Sequence, residues 1–233
     1  MIRNLFIDLD DTLFDFHKSE ATALSKSFTQ LGIVPTDENV ALYSRINQNQ
    51  WERLERREAT REEILLKRFE ILFSELGITN RKPIEAQAVY EKNLSNTYFY
   101  IDGAVELLSK LSKKYDIYIA SNGTAVVQDK RIALSGIKEY VKEIFISQRV
   151  GHDKPSKAFF DACFETIENF RKEETIMVGD SLTSDILGGI NAGVRTCLFN
   201  PKRKHGRADI VPDYEIYELS ELSKILDTID KEN

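Results

Sequence analysis

Residues 4–13 read Asn4-Leu5-Phe6-Ile7-Asp8-Leu9-Asp10-Asp11-Thr12-Leu13. An apolar run that stops on a cluster of acids is the pattern of a buried strand, here 4–8, whose carboxyl end opens into a polar site. Side chains two apart on an extended chain point the same way, so Asp8 and Asp10 project together from that end. Four more runs of strand length follow, at 117–121, 143–147, 175–179 and 196–199. Between them lie stretches of helical periodicity, such as Ala104, Leu107, Leu108 and Leu111, or Ala158, Phe159, Ala162, Phe164 and Ile167. Near-continuous hydrophobic strands alternating with helices predict a parallel sheet covered on both faces. The expected fold class is α/β, a doubly wound parallel sheet of Rossmann type.

The gap between the first two strands contains no strand pattern. It predicts helices at 21–31, 38–56, 61–76 and 83–96, punctuated by Gly32 and Pro35, a Thr60/Glu63 capping box, Gly77 and Pro83. The expected organisation is a sheet domain of residues 1–15 and 100–233 with an all-helical subdomain, 16–99, inserted after the first strand. Toward the C-terminus come a basic loop (Lys202, Arg203, Lys204, His205, Arg207), an edge strand at 214–216 and a last helix at 221–229.

Composition narrows the class. The chain has 233 residues, 42% hydrophobic and 30% charged, which suits a folded domain with a sizeable core. With 38 acidic against 32 basic side chains the net charge is −6, which argues against a nucleic-acid polymer as partner. No apolar run is long enough for a membrane span, and the short apolar N-terminal stretch meets Asp8 at once, so neither a span nor a signal peptide is expected. A cytoplasmic protein is the expectation. Cys163 and Cys197 lack metal-ligand spacing and sit in apolar company, as buried free thiols would.

Taken alone, two acids after a strand are turn formers. The fourth strand, however, ends Gly179-Asp180-Ser181-Leu182-Thr183-Ser184-Asp185, with two more acids at the same kind of position. If the first strand is central and the fourth adds opposite the second, Asp8, Asp10 and Asp180 converge where the strand order reverses. Several carboxylates at one point call for a hard cation, and magnesium, with its oxygen ligands and affinity for phosphate, is the natural choice. Ser121-Asn122-Gly123 after the second strand offers a hydroxyl, an amide and backbone N–H groups for a phosphoryl oxygen. Lys154, before a predicted helix, supplies a cation.

These residues in this order resemble the motifs of the haloacid dehalogenase superfamily in its phosphatase form. Asp8-Leu9-Asp10-Asp11-Thr12 resembles the first motif, Ser121 the second, Lys154 the third, and Gly179-Asp180 with Asp185 the fourth; the helical insert resembles that superfamily's cap. The run from Gly179 to Gly193 is similar to the branch of nucleoside 5′-monophosphate phosphatases. One departure is Asp102, where relatives often carry proline; as a good N-cap it is expected to change only the start of the next helix. The resemblance implies that Asp8 is the nucleophile and Asp10 the general acid and base. It further implies magnesium held by Asp8, Asp180 and the Asp10 carbonyl with Asp185 in the outer shell, and a transferring group held by Ser121 and Asn122. The partner is a small phosphorylated metabolite, a nucleoside monophosphate on the branch resemblance. Oligomeric state is not specified by the sequence.

Asp10 separates the rivals, because halide departs without a proton and dehalogenases of the superfamily lack that second acid. A sugar phosphomutase would keep both acids and the cap, and a non-catalytic phosphoryl-binding regulator could share the fold. A phospho-accepting receiver would be shorter and lack the insert. Substrate selection is expected from the insert, through Phe16, His17, Asn47 and Trp51, the sole tryptophan.

Overall fold

Asn4, Leu5, Phe6 and Ile7 are all buried and form β1 (Asn4–Ile7). In the computed structural model, which describes residues 1–203 and 206–232, this strand is central. On one side it pairs with β2 (Asp116–Ser121), which pairs with β3 (Glu143–Ile146). On the other it pairs with β4 (Thr175–Gly179), followed by β5 (Arg195–Phe199) and β6 (Tyr214–Ile216). All pairings are parallel and the order is β3-β2-β1-β4-β5-β6. The winding therefore reverses between β1 and β4, where an open α/β sheet leaves a crevice beyond its strand ends.

The chain divides into two compact units, Met1–Asp15 with Tyr100–Asn233, and Phe16–Phe99. The second is built from α1 (Phe16–Gln30), α2 (Asp37–Glu55), α3 (Arg61–Glu75) and α4 (Pro83–Ser95). Thr60 and Glu63 form the expected reciprocal capping box at the start of α3. Tyr43, Phe69 and Tyr90 pack together with ring centroids 5.1–5.9 Å apart and form an aromatic centre for this unit. Helix α1 starts at Phe16, ahead of the predicted 21; the inner face of its first turns is polar and so lacks the apolar period that marks a helix. Ser19 and Glu20 are buried, and Glu20 Oε1 accepts a 2.7 Å bond from Asn47 Nδ2. Asn47 Oδ1 accepts from Arg68 Nη1 at 2.8 Å, and Arg68 Nη2 donates to Gln87 Oε1 at 2.7 Å. Burial raises the Glu20 carboxyl above its ordinary range, against the lowering effect of Ser44, Asn47 and Arg68.

In the sheet unit the helices are α5 (Ala104–Leu111), α6 (Ala125–Ser135), α7 (Ser147–Val150), α8 (Lys157–Glu165), α9 (Leu187–Ala192) and α10 (Leu222–Glu232). Phe6, Tyr118, Phe145, Phe159, Phe160 and Phe164 pack into an aromatic layer on one face of the sheet. Asp102 does not cap α5: Gly103, at φ 80°, takes the N-cap position with no side-chain bond. The left-handed backbone makes the turn that a capping carboxylate was expected to make. Cys163 and Cys197 are free and buried, and burial pushes both thiols up to about 12. In the basic loop Arg203 lies 4.1 Å over the Tyr217 ring and Arg207 pairs with Asp209 at 2.8 Å. Lys204 and His205 lie outside the described residues. No described helix is long and apolar enough to cross a membrane.

The chain leaves and re-enters the sheet unit at one place. Phe14 forms an antiparallel bridge with Tyr100, and Ile101 N donates to Leu13 O at 2.9 Å.

Candidate active site

Asp8 continues the ladder of β1, its N–H donating to Val178 O of β4 at 2.9 Å, so its carboxylate emerges at the switch point. Lys154, 1% exposed, reaches it from the loop before α8. The three ammonium hydrogens meet three acceptors at 2.6 Å: Asp8 Oδ1, Asp185 Oδ1 and the Ala120 carbonyl. Burial alone would lower the Lys154 pKa, but Asp185 and Asp8 reverse the effect and the net shift is upward. One ammonium shared by two carboxylates cannot neutralise both. Burial drives the Asp8 carboxyl up to about 8, with Lys154 opposing and Asp185 adding to the rise.

Asp185 reaches this point because of how the chain turns after β4. Ser181 Oγ accepts from Ser184 N at 3.1 Å and caps a π-helical turn, Leu182–Ile186. The wide turn folds Asp185 back onto the strand end, where Oδ2 accepts from Ser181 N at 3.1 Å. A Cβ on Gly179 would overlap the Asp185 carboxylate, so this approach requires glycine.

Asp8, Asp180 and Asp185 each place one carboxylate oxygen within 4.8 Å of the others. Three hard oxygen donors with an excess of negative charge over Lys154 suit a divalent cation of the magnesium type. The residues present therefore fit such an ion, with Asp8, Asp180 and Asp185 each able to offer it one carboxylate oxygen.

Asp10 is partly buried and its two oxygens are taken separately. Arg131 Nη1 donates to Oδ1 at 2.6 Å and Gln128 Nε2 to Oδ2 at 2.7 Å. Gln128 Nε2 also lies 2.9 Å from Ser121 Oγ. Both residues come from α6, and sequence reasoning missed them. The signal that could have found them is a Gln and an Arg three apart, alternating with Val127 and Ile132 on the inner face of the helix after Ser121.

The model of the haloacid dehalogenase-like hydrolases matches residues 2–193. The chain belongs to that family. Among haloacid dehalogenase-like relatives, HAD-hydrolase YfnB of Bacillus subtilis is 41% identical over 224 residues, covering 96% of this chain and 95% of the relative. Its magnesium-bound crystal structure, described as revealing interdomain movement, superposes with a TM-score of 0.92, covering 97% of this chain and 98% of that one. Pyrimidine 5′-nucleotidase PynA of Streptococcus pneumoniae is 36% identical over 97% of this chain and 94% of its own length. Pyrimidine 5′-nucleotidase YjjG of Escherichia coli is 32% identical over 95% and 96%.

For this haloacid dehalogenase-like hydrolase, the sheet unit brings together Asp8, Asp10, Ser121, Asn122, Gly123, Lys154, Asp180 and Asp185. Asn122 differs from expectation. Its Nδ2 donates to the Lys154 carbonyl and its Oδ1 accepts from Lys154 N, each at 2.9 Å. The amide thus fixes the Lys154 loop and is not directed at a phosphoryl group. Phe16, His17, Asn47 and Trp51 all belong to the helical unit. Asn47 is 2% exposed with both ends of its amide spent on Glu20 and Arg68, so it presents nothing to a ligand, contrary to expectation. His17 is exposed, and Phe16 and Trp51 are half-buried; Arg61 lies 5.5 Å over the Trp51 ring.

Proposed function

We propose that the chain is a magnesium-dependent phosphomonoester hydrolase that acts on nucleoside 5′-monophosphates through an aspartyl-phosphate. The observation that carries this reading is the second carboxylate, Asp10, two residues after Asp8 and held in place by its own partners. A phosphate ester needs a proton donor for its departing alkoxide; a halide does not. The nucleotide class is supported by PynA and YjjG, which match over nearly the whole chain.

An Asp8 oxygen attacks phosphorus as the ester P–O bond breaks, and Asp10 gives its proton to the leaving alkoxide. Asp10 then takes a proton from water, which attacks the aspartyl-phosphate and releases inorganic phosphate with the Asp8 carboxylate restored. Lys154 holds Asp8 oriented and offsets part of the repulsion between carboxylate and phosphoryl group. Ser121 donates to a phosphoryl oxygen. A bound magnesium ion supplies the remaining positive charge for that encounter. The helical unit serves as the cap and reads the rest of the substrate, with Phe16, His17 and Trp51 as its candidate contacts.

The test is phosphate release from nucleoside monophosphates, sugar phosphates and 4-nitrophenyl phosphate, with and without magnesium. Release from pyrimidine or deoxynucleoside monophosphates only when magnesium is present is the expected result. Isomerisation of a hexose 1-phosphate without phosphate release would replace the reading by a mutase. Asp10→Asn should lower kcat/KM for the nucleotide by about 100-fold or more and for 4-nitrophenyl phosphate far less, since kcat/KM reports phosphoryl transfer and a phenoxide leaves with little help.

A further inference from the structure

Asp10 and Ser121 come from different strands, yet one pair of side chains on α6 reaches both. Arg131 is 0% exposed, and its Nη1 bonds Asp10 Oδ1 at 2.6 Å and Gln128 Oε1 at 2.9 Å. A guanidinium has no acceptor, so the Gln128 oxygen must face Arg131 and its NH₂ must face Asp10 and Ser121. The Asp10 carboxylate is thereby gripped at each oxygen by a different residue, which fixes the plane of the group. The Ser121 Oγ accepts from Gln128 Nε2 at 2.9 Å and from Gly123 N at 3.2 Å. With two lone pairs filled, the hydroxyl hydrogen is the capacity Ser121 has to offer, and it suits an acceptor such as a phosphoryl oxygen. Gly123 makes room for this arrangement, since a Cβ there would overlap the Gln128 amide.

We infer that Arg131 and Gln128 are positioning residues of the reaction, Arg131 acting through Asp10 on the leaving group and Gln128 aligning Asp10 and Ser121 as one unit. The inference rests on the phosphatase reading above. It separates the two residues by what each touches. Arg131 acts on both proton transfers of Asp10, so in the phosphoryl-transfer step it matters only where the leaving group needs a proton, while the later attack of water is common to all esters. Gln128 also sets the donor to the phosphoryl group, which every ester uses.

The experiment compares wild type, Arg131→Met, Arg131→Lys and Gln128→Leu, with Arg131→Met also placed in an Asp10→Asn background. Full-length proteins are assayed for kcat and KM in magnesium with uridine 5′-monophosphate and 4-nitrophenyl phosphate, beside thermal unfolding. The Arg131→Met kcat/KM, which reports the phosphoryl-transfer step alone, should fall at least about tenfold further on the nucleotide than on the aryl ester, within the range of general acid catalysis. KM should change little, and Arg131→Lys should recover part of the loss. In the Asp10→Asn background Arg131→Met should cost nothing more, because its route through Asp10 is already cut. Gln128→Leu should lower both substrates. Equal losses on the two esters in the Arg131 variants, or losses that multiply with Asp10→Asn, would reduce the pair to a structural ion pair and overturn the inference. If Arg131→Met does not fold, Arg131→Lys and Gln128→Leu still separate the two outcomes by their substrate ratios. A wild type that hydrolyses neither ester removes the phosphatase reading and this inference with it; an active wild type without the predicted ratios removes the inference alone.

Discussion

At the end of the central strand one ammonium faces two carboxylates, and burial, which that single positive charge does not offset, governs how Asp8 titrates. Burial is the leading cause of its rise to about 8, from an ordinary value of 3.8 that the unfolded chain retains. Between those values the native state holds a proton that the unfolded state has released. Stability of the cation-free protein must therefore decline as pH rises through that window, the contribution being fully present below it and lost above it. Thermal unfolding in chelator should show this decline in wild type and a flatter profile in Asp8→Asn. Equal slopes in the two proteins would refute the assignment. Added magnesium competes with the same proton, so its stabilising effect should grow with pH over the same interval.

Helix α9 is where an element's approach to the sheet is set by missing side chains. A Cβ on Gly189 would stand 2.6 Å from Thr196 Cγ2 and 3.2 Å from Met177 Cβ, both on strands. Gly189→Ala should destabilise the protein by about 1–3 kcal/mol through overpacking. Urea unfolding measures it, and a neutral or stabilising result would mean that α9 can lift from the sheet at no cost. The strands were legible in the sequence because the central ones are buried on both faces and their apolar runs, such as Leu5 to Ile7, are unbroken. The site acids were legible because each follows such a run. What escaped was polar residues on inner helix faces. Glu20 hid the first turns of α1, and Gln128 and Arg131 interrupt the apolar stripe of α6, because their burial depends on partners distant in sequence. The Asn122 side chain was misread for a similar reason: nothing in Ser121-Asn122-Gly123 reveals that its amide closes on the Lys154 backbone.

The two compact units meet in sequence at Asp15/Phe16 and Phe99/Tyr100. Replacing residues 16–99 by a short glycine linker should leave a folded sheet unit that keeps the Lys154, Asp8 and Asp185 contacts. Such a protein should retain hydrolysis of 4-nitrophenyl phosphate and lose preference for nucleotides. Circular dichroism and the two-substrate assay check this, and a sheet unit that fails to fold would show that it depends on the helical one. The bridge between Phe14 and Tyr100 makes the outcome physical. Paired strands hold their backbones about 5 Å apart, so whatever lies between them begins and ends at adjacent points. To the sheet, the helical unit is a loop on a clamped stem. Closure entropy grows only with the logarithm of loop length, about 0.6 kcal/mol per doubling. The closure cost therefore depends little on the insert's length, and a helical insert of another size should be accepted on the same stem with the phosphoryl chemistry left where it stands.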